Sequence, residues 1–135
     1  MKKNIFAMLS LIIILLLGGC TSTINPTLKG SYQTEKDVNG YFIEISIQQQ
    51  ESSFVEYIDN REIDRGTYEK NENNVYKIKS DKQNFQVTLS AKNSFEIIIK
   101  KLNTGKPIQL KNVSVTPTYF STIFDDVDKY KSLLD

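Results

Sequence analysis

Residues 38–49, Val38-Asn39-Gly40-Tyr41-Phe42-Ile43-Glu44-Ile45-Ser46-Ile47-Gln48-Gln49, decide the fold of this chain. Asn39-Gly40 accepts the positive φ angles of a type I′ turn, the two-residue connection that joins strands into a tight hairpin. Behind the turn, Tyr41, Ile43, Ile45 and Ile47 alternate with Phe42, Glu44 and Ser46. Strand side chains point to opposite faces with a period of two, so this run presents one apolar and one mixed face.

Working outward, the same pattern recurs along most of the chain. Runs rich in Ile, Val, Tyr, Phe and Thr alternate with clusters of Asn, Asp, Gly and Ser at all-β spacing. This spacing predicts eight strands over 28–35, 41–49, 53–58, 62–69, 75–80, 84–90, 94–102 and 108–115. Asp59-Asn60-Arg61 has the composition of another tight turn. Phe85, Val87 and Leu89, then Phe95, Ile97 and Ile99, repeat the alternation. Short turns between consecutive strands make neighbours antiparallel. The expected fold is mainly β: an eight-stranded antiparallel up-and-down meander closing into a small barrel.

Pro117 stops the strand pattern, and the period changes to helical. Ile123, Val127, Tyr130 and Leu134 fall on one stripe, Thr122 and Asp125 have capping-box spacing, and Asp125, Asp126 and Asp128 precede Lys129 and Lys131. An amphipathic helix over about 119–134 follows, with its stripe against the outside or the mouth of the β-structure. The three aspartates are explained by helix-start electrostatics. Positions on one helix do not wrap a calcium ion as a loop does.

At the other end, Lys2 and Lys3 precede an apolar run from Ile5 to Leu17 broken by Ser10. That run is shorter than the ~20 residues of a membrane-spanning helix and reads as a cleavable export signal. Leu17-Gly18-Gly19-Cys20 follows, and this motif resembles the lipobox of bacterial lipoproteins. The resemblance implies cleavage between Gly19 and Cys20 and a diacylglyceryl group on the Cys20 thiol. It places the protein on the extracytoplasmic face of a cell membrane, held through Cys20. Two acyl chains anchor stably where one binds reversibly. Residues 1–19 are then the signal peptide, 20–27 the lipidated cysteine and a polar tether, and 28–135 the barrel domain with its helix.

Without the two lysines of the signal, the remaining 116 residues carry 15 basic and 16 acidic groups, a formal charge of −1. Such a balance argues against nucleic acid as a partner. The single cysteine is committed to lipid, so the core forms without a disulfide. The charge is uneven. Residues 51–64 hold five acids and Arg61, whereas residues 77–111 hold eight lysines against Asp81 and Glu96. Lys77, Lys79, Lys100, Lys101, Lys106 and Lys111 on one wall would make a basic face toward anionic lipid or wall polymer. Alternatively, they are solvated lysines that discourage edge pairing.

Eight sequential antiparallel strands and one helix resemble the calycin architecture, the lipocalins and their small relatives, some of which are bacterial lipoproteins. Gly30-Ser31-Tyr32 stands near where lipocalins carry Gly-x-Trp on the first strand, with Tyr32 in the place of tryptophan. An eight-stranded barrel holds side chains or one small ligand, and strands this short leave little depth. The resemblance implies a calycin-like barrel, here with a filled core and a shallow mouth. Gly66-Thr67-Tyr68 echoes Gly30-Ser31-Tyr32. Tyr32 and Tyr68 therefore either fill the barrel or line a ligand site, each ring supplying area and each hydroxyl a polar handle.

The chemistry is mostly negative. With no histidine, no free thiol and no Gly-rich phosphate loop, neither nucleophile–base pairs nor zinc sites can be assembled. No cofactor or metal is expected. Paired carboxylates for glycoside cleavage would have to come from Glu44, Glu56, Asp59, Glu62 and Asp64, which are spread over strands and turns and read as solvated charge. The expected function is a monomeric, non-catalytic, membrane-anchored binding module for a small apolar ligand or an envelope protein. Tyr57, Tyr119 and Phe120 are candidate anchors for a protein partner. An immunity or inhibitor lipoprotein blocking an envelope enzyme or toxin is the second class, and an envelope hydrolase the third.

Overall fold

A computed structural model describes residues 25–135. The expected signal peptide, its expected Gly19–Cys20 cleavage site and Cys20, the expected lipid acceptor, lie outside the described residues. The strands are β1 (Gly30–Gln33), β2 (Ile43–Gln48), β3 (Ser53–Ile58), β4 (Arg61–Glu72), β5 (Val75–Ser80), β6 (Asn84–Thr88), β7 (Ser94–Ile97) and β8 (Ile108–Ser114). The first tight turn has φ of 54° at Asn39 and 85° at Gly40, and the β3–β4 turn has 47° at Asp59 and 69° at Asn60. Both are therefore primed turns, whose twist matches that of the strands they join.

Every ladder is antiparallel, and the strands run in the order β6-β5-β4-β3-β2-β1-β8-β7. The first and last strands pair, which curls the sheet into a nearly closed barrel. One ladder is missing: β6 and β7 are consecutive in the chain but not hydrogen-bonded as a pair, so two sheet edges flank an open seam.

Period-two alternation puts Tyr32, Ile43, Ile45, Ile47, Phe54, Ile58, Ile78, Val87, Phe95, Ile97, Ile108 and Leu110 into one buried cluster that fills the barrel. Two glycines permit the close approach of neighbouring strands. At Gly30 (φ +78°) a Cβ would stand 2.0 Å from the Ser114 carbonyl oxygen, and at Gly66 it would stand 2.1 Å from that of Lys79. No side chain fits such a gap, so the β1–β8 closure depends on Gly30. Beside it, register slips by one residue between Ser31 and Tyr32. The Asn112 carboxamide donates to the carbonyls of Lys29, Ser31 and Ser114 there, stitching the bulge.

The C-terminal helix is shorter than its periodicity predicts. Helix α1 spans Val127–Lys131 and continues as a 3-10 turn over Ser132–Leu134. Residues 115–126 instead form a strap across the outer face of β1, β2 and β3. Ser31 Oγ bonds the Thr116 carbonyl and the Thr118 hydroxyl, Tyr119 donates to Gln48 Oε1, and Phe120 packs edge-on against Tyr57 at 4.8 Å. These contacts take side chains that a helix would spread around its circumference, and Thr122 and Asp125 form no capping box. Ile123, expected on the buried stripe, is 96% exposed. Tyr130, Leu133 and Leu134 do reach the core, and Tyr130 meets Tyr41 edge-on at 5.8 Å. The short helix thereby plugs the barrel mouth beside the Asn39-Gly40 turn, opposite the end where the chain enters at Leu28.

Arg61 clasps the strap. Its guanidinium forms two 3.0 Å bonds to the Asp126 carboxylate, donates to the Asp59 carbonyl at 2.7 Å, and lies over the rings of Phe124 (3.9 Å) and Tyr130 (4.7 Å). A planar fork that pairs and stacks at once is beyond a lysine. Arg61→Ala is expected to free the strap: amide exchange should quicken over 116–131 and trypsin should cut first after Lys129 or Lys131, while β2 and β3 stay protected. Unchanged exchange in the strap would show that Arg61 does not hold it.

Candidate functional site

The structure separates the two tyrosines expected to act alike. Tyr32 is fully buried, tilted against Phe95 at 4.7 Å, and its hydroxyl donates to Asn93 Oδ1 at 2.7 Å. Burial pushes that hydroxyl up to about 12. Tyr68 is half-buried at the edge of the same cluster, near Tyr76, whose hydroxyl accepts from the Leu28 amide at 3.3 Å. Both rings sit toward the chain-entry end, packed against protein side chains.

The acids depart from the solvated pattern expected of them. Glu56 is 1% exposed and Asp64 8% exposed, side by side as register partners on β3 and β4. Gln83 Nε2 donates to both, at 2.8 Å to Glu56 Oε2 and 2.7 Å to Asp64 Oδ2, and Ser80 Oγ donates to Asp64 at 2.7 Å. Burial pushes the Glu56 carboxyl up to about 7, the Gln83 bond opposes the shift, and the Asp64 charge adds to it. A signal for this was present: Glu56 lies midway between Phe54 and Ile58, on the inward phase of β3. The pair is a polar inclusion in the core, walled off by Gln83.

Tyr57 is buried beneath Phe120, leaving Tyr119 as the exposed member of the expected aromatic anchors. The lysines fall into two groups. Lys77 and Lys79 lie on β5 and Lys111 on β8, whereas Lys100, Lys101 and Lys106 lie in the β7–β8 connection. Lys77, Lys79 and Lys111 stand one strand back from the two edges of the β6–β7 seam, and Lys100, Lys101 and Lys106 lie in the loop that follows β7.

The seam itself is hollow. Toward its open end lies a groove of about 430 Å³ lined by Gln83 to Gln86, Glu96 to Ile98 and Pro107. A second hollow of about 360 Å³ continues toward the Ser90–Ser94 turn and shares Gln86 and Glu96 with the first. Natural sheets blunt free edges with charge, proline or very short strands. The β6 edge, Asn84-Phe85-Gln86-Val87-Thr88, has neither charge nor proline. Because the lysines stand behind the edge, they do not block it. No family model, curated protein or solved structure matches the chain.

Proposed function

We propose that this protein is a lipid-anchored module of the bacterial cell envelope, tethered through Cys20, that acts by binding an extended segment of a protein partner along the β6–β7 seam. The observation that supports this reading is the one absent ladder in an otherwise paired barrel, beside an unblunted edge. An extended segment added to such an edge gains main-chain hydrogen bonds, while pockets for alternate side chains supply specificity. Lys77 and Lys79 on β5 favour acidic residues on the β6 side of the segment, away from Glu96 on β7. The filled interior and plugged mouth move binding from the inside of the barrel to its wall.

The test is a photo-crosslinking residue at Thr88, an exposed position of β6, in living cells. One discrete envelope protein should be captured there and none from Glu69 on the far side of β5. Gln86→Lys, which places a charge on the edge, should abolish pairing without changing thermal unfolding. Cys20→Ser should lose both lipid labelling and the cross-link. Equal capture from Glu69, or capture that survives in a chain with Lys at position 86, would refute strand addition. Lipid labelling that persists without Cys20 would refute the anchor.

A further inference from the structure

A second site lies on the opposite wall, on β1 to β3. Glu44 points outward from β2, between Gln33 on β1 and Tyr57 on β3, its register partners. An outward acid on a small barrel is ordinarily hydrated. Glu44 is only 7% exposed. Its Oε2 accepts from the Gln33 carboxamide, while its Oε1 is buried with no hydrogen-bond partner among the described residues. A carboxylate oxygen taken from water without a donor is strongly disfavoured.

Glu44 lines a groove of about 420 Å³ together with Gln33, Phe42, Ile43, Tyr57, Asp59, Asn60 and Arg61. The cations close by are committed elsewhere. Arg61 is bonded to Asp126 and the Asp59 carbonyl and stacked on two rings, and Lys111 is paired with Glu35 at 2.6 Å. Among the described residues, Glu44 has no ion-pair partner. Asp59, whose Oδ1 accepts from the Phe42 amide at 2.8 Å, adds a second acid to the rim. The Phe42 ring is 55% exposed on the same rim.

We infer that this groove binds a primary ammonium on an unbranched aliphatic stem, the chemistry of a lysine side chain, with Glu44 Oε1 as its acceptor. One free oxygen suits a point-charge donor. A guanidinium fork seeks two, and Gln33 already occupies the other. The methylenes of the stem lie against Phe42, whose face also attracts the cation. This site is independent of the β6–β7 seam: it lies on β2 and β3 and uses none of the seam residues.

The experiment is a titration of the full chain in detergent micelles, followed by amide chemical shifts. The probes are Nα-acetyl-lysine amide, its Nε-acetylated derivative and Nα-acetyl-arginine amide. The lysine probe should give saturable shifts centred on Gln33, Glu44, Tyr57 and Asp59, and the Nε-acetylated probe should give none. Glu44→Gln keeps the shape and should weaken binding by at least about tenfold, as expected for one charge-assisted hydrogen bond. Phe42→Ala, an exposed position that should not affect folding, should weaken it severalfold, and Glu62→Gln should leave it unchanged. Absence of saturable shifts, equal binding of the Nε-acetylated or arginine probe, or undiminished binding by Glu44→Gln would each overturn the inference.

Discussion

Glu56→Gln should make the protein more stable at pH 8 by about 3 kcal/mol and remove a pH dependence that the native chain shows. The cause is burial. Glu56 is walled in on β3, so its carboxyl is held up at about 7 in the folded chain against an ordinary 4.5. Below pH 4.5 the group is protonated in both states and contributes no pH dependence. Between 4.5 and 7 the unfolded chain releases its proton while the folded chain keeps it, so folded stability falls as pH rises. Each unit of that window costs about 1.36 kcal/mol. Above 7 the loss is complete. Glutamine keeps an acceptor for Gln83 and can donate to Asp64 in turn, so nothing in the cluster is orphaned. Urea midpoints by tyrosine fluorescence at pH 4.5, 6, 7 and 8 would show curves that meet at the acid end and diverge above it. Parallel curves would mean that Glu56 titrates as if exposed.

Phe95→Ala should destabilise the fold by about 3 to 5 kcal/mol, the range for emptying an aromatic site in a packed core. Phe95 is 2% exposed, and its ring lies against Tyr32. Its strand, β7, forms a ladder with β8 alone, and toward β6 it is tied only at its first residue, where Ser94 bonds Ser90. With few ladder bonds to restrain it, the inward ring does much of the anchoring of β7. Ile98, three residues on and 59% exposed, supplies the contrast: Ile98→Ala should stay within about 0.5 kcal/mol. Similar losses at both positions in denaturant unfolding would contradict the inward–outward assignment. With total stabilities commonly near 5 to 15 kcal/mol, the Phe95 change alone could halve the margin.

Glu44 and Glu56 show how far local pattern carries. Alternation in β3 places Glu56 with Phe54 and Ile58, so its inward direction was legible, but an acid invites a solvated reading unless its neighbours are known. Gln83, which satisfies it, comes from the β5–β6 turn. Glu44 is on the outward phase of β2 and by pattern alone should be wet. It sits between Gln33 and Tyr57 on the neighbouring strands, and Tyr57 is covered in turn by the strap, whose course depends on Arg61 meeting Asp126 and on Phe120 meeting Tyr57. Neither pairing leaves a mark in the spacing of residues. The helical period of 123–134 likewise overstated the helix, because nothing in it records that Phe120 and Phe124 are held by the barrel wall.

Local pattern is enough for the elements: eight strands, the Asn39-Gly40 and Asp59-Asn60 turns, and the inward set of Ile45, Phe95 and their companions. These follow from interactions within about ten residues, where the pleat imposes a period of two and positive φ selects Asn, Asp and Gly. Long-range packing alone settles that β1 closes on β8 through the gap at Gly30 while β6 and β7 form no ladder, and that the strap lies over Tyr57 and Arg61. Those outcomes depend on chain closure, on the space left between strands and on partners some 65 to 85 residues away, as in Arg61–Asp126 and Ser31–Thr116. Hydrophobic periodicity tells a residue which way to face; it does not tell it what will be waiting there.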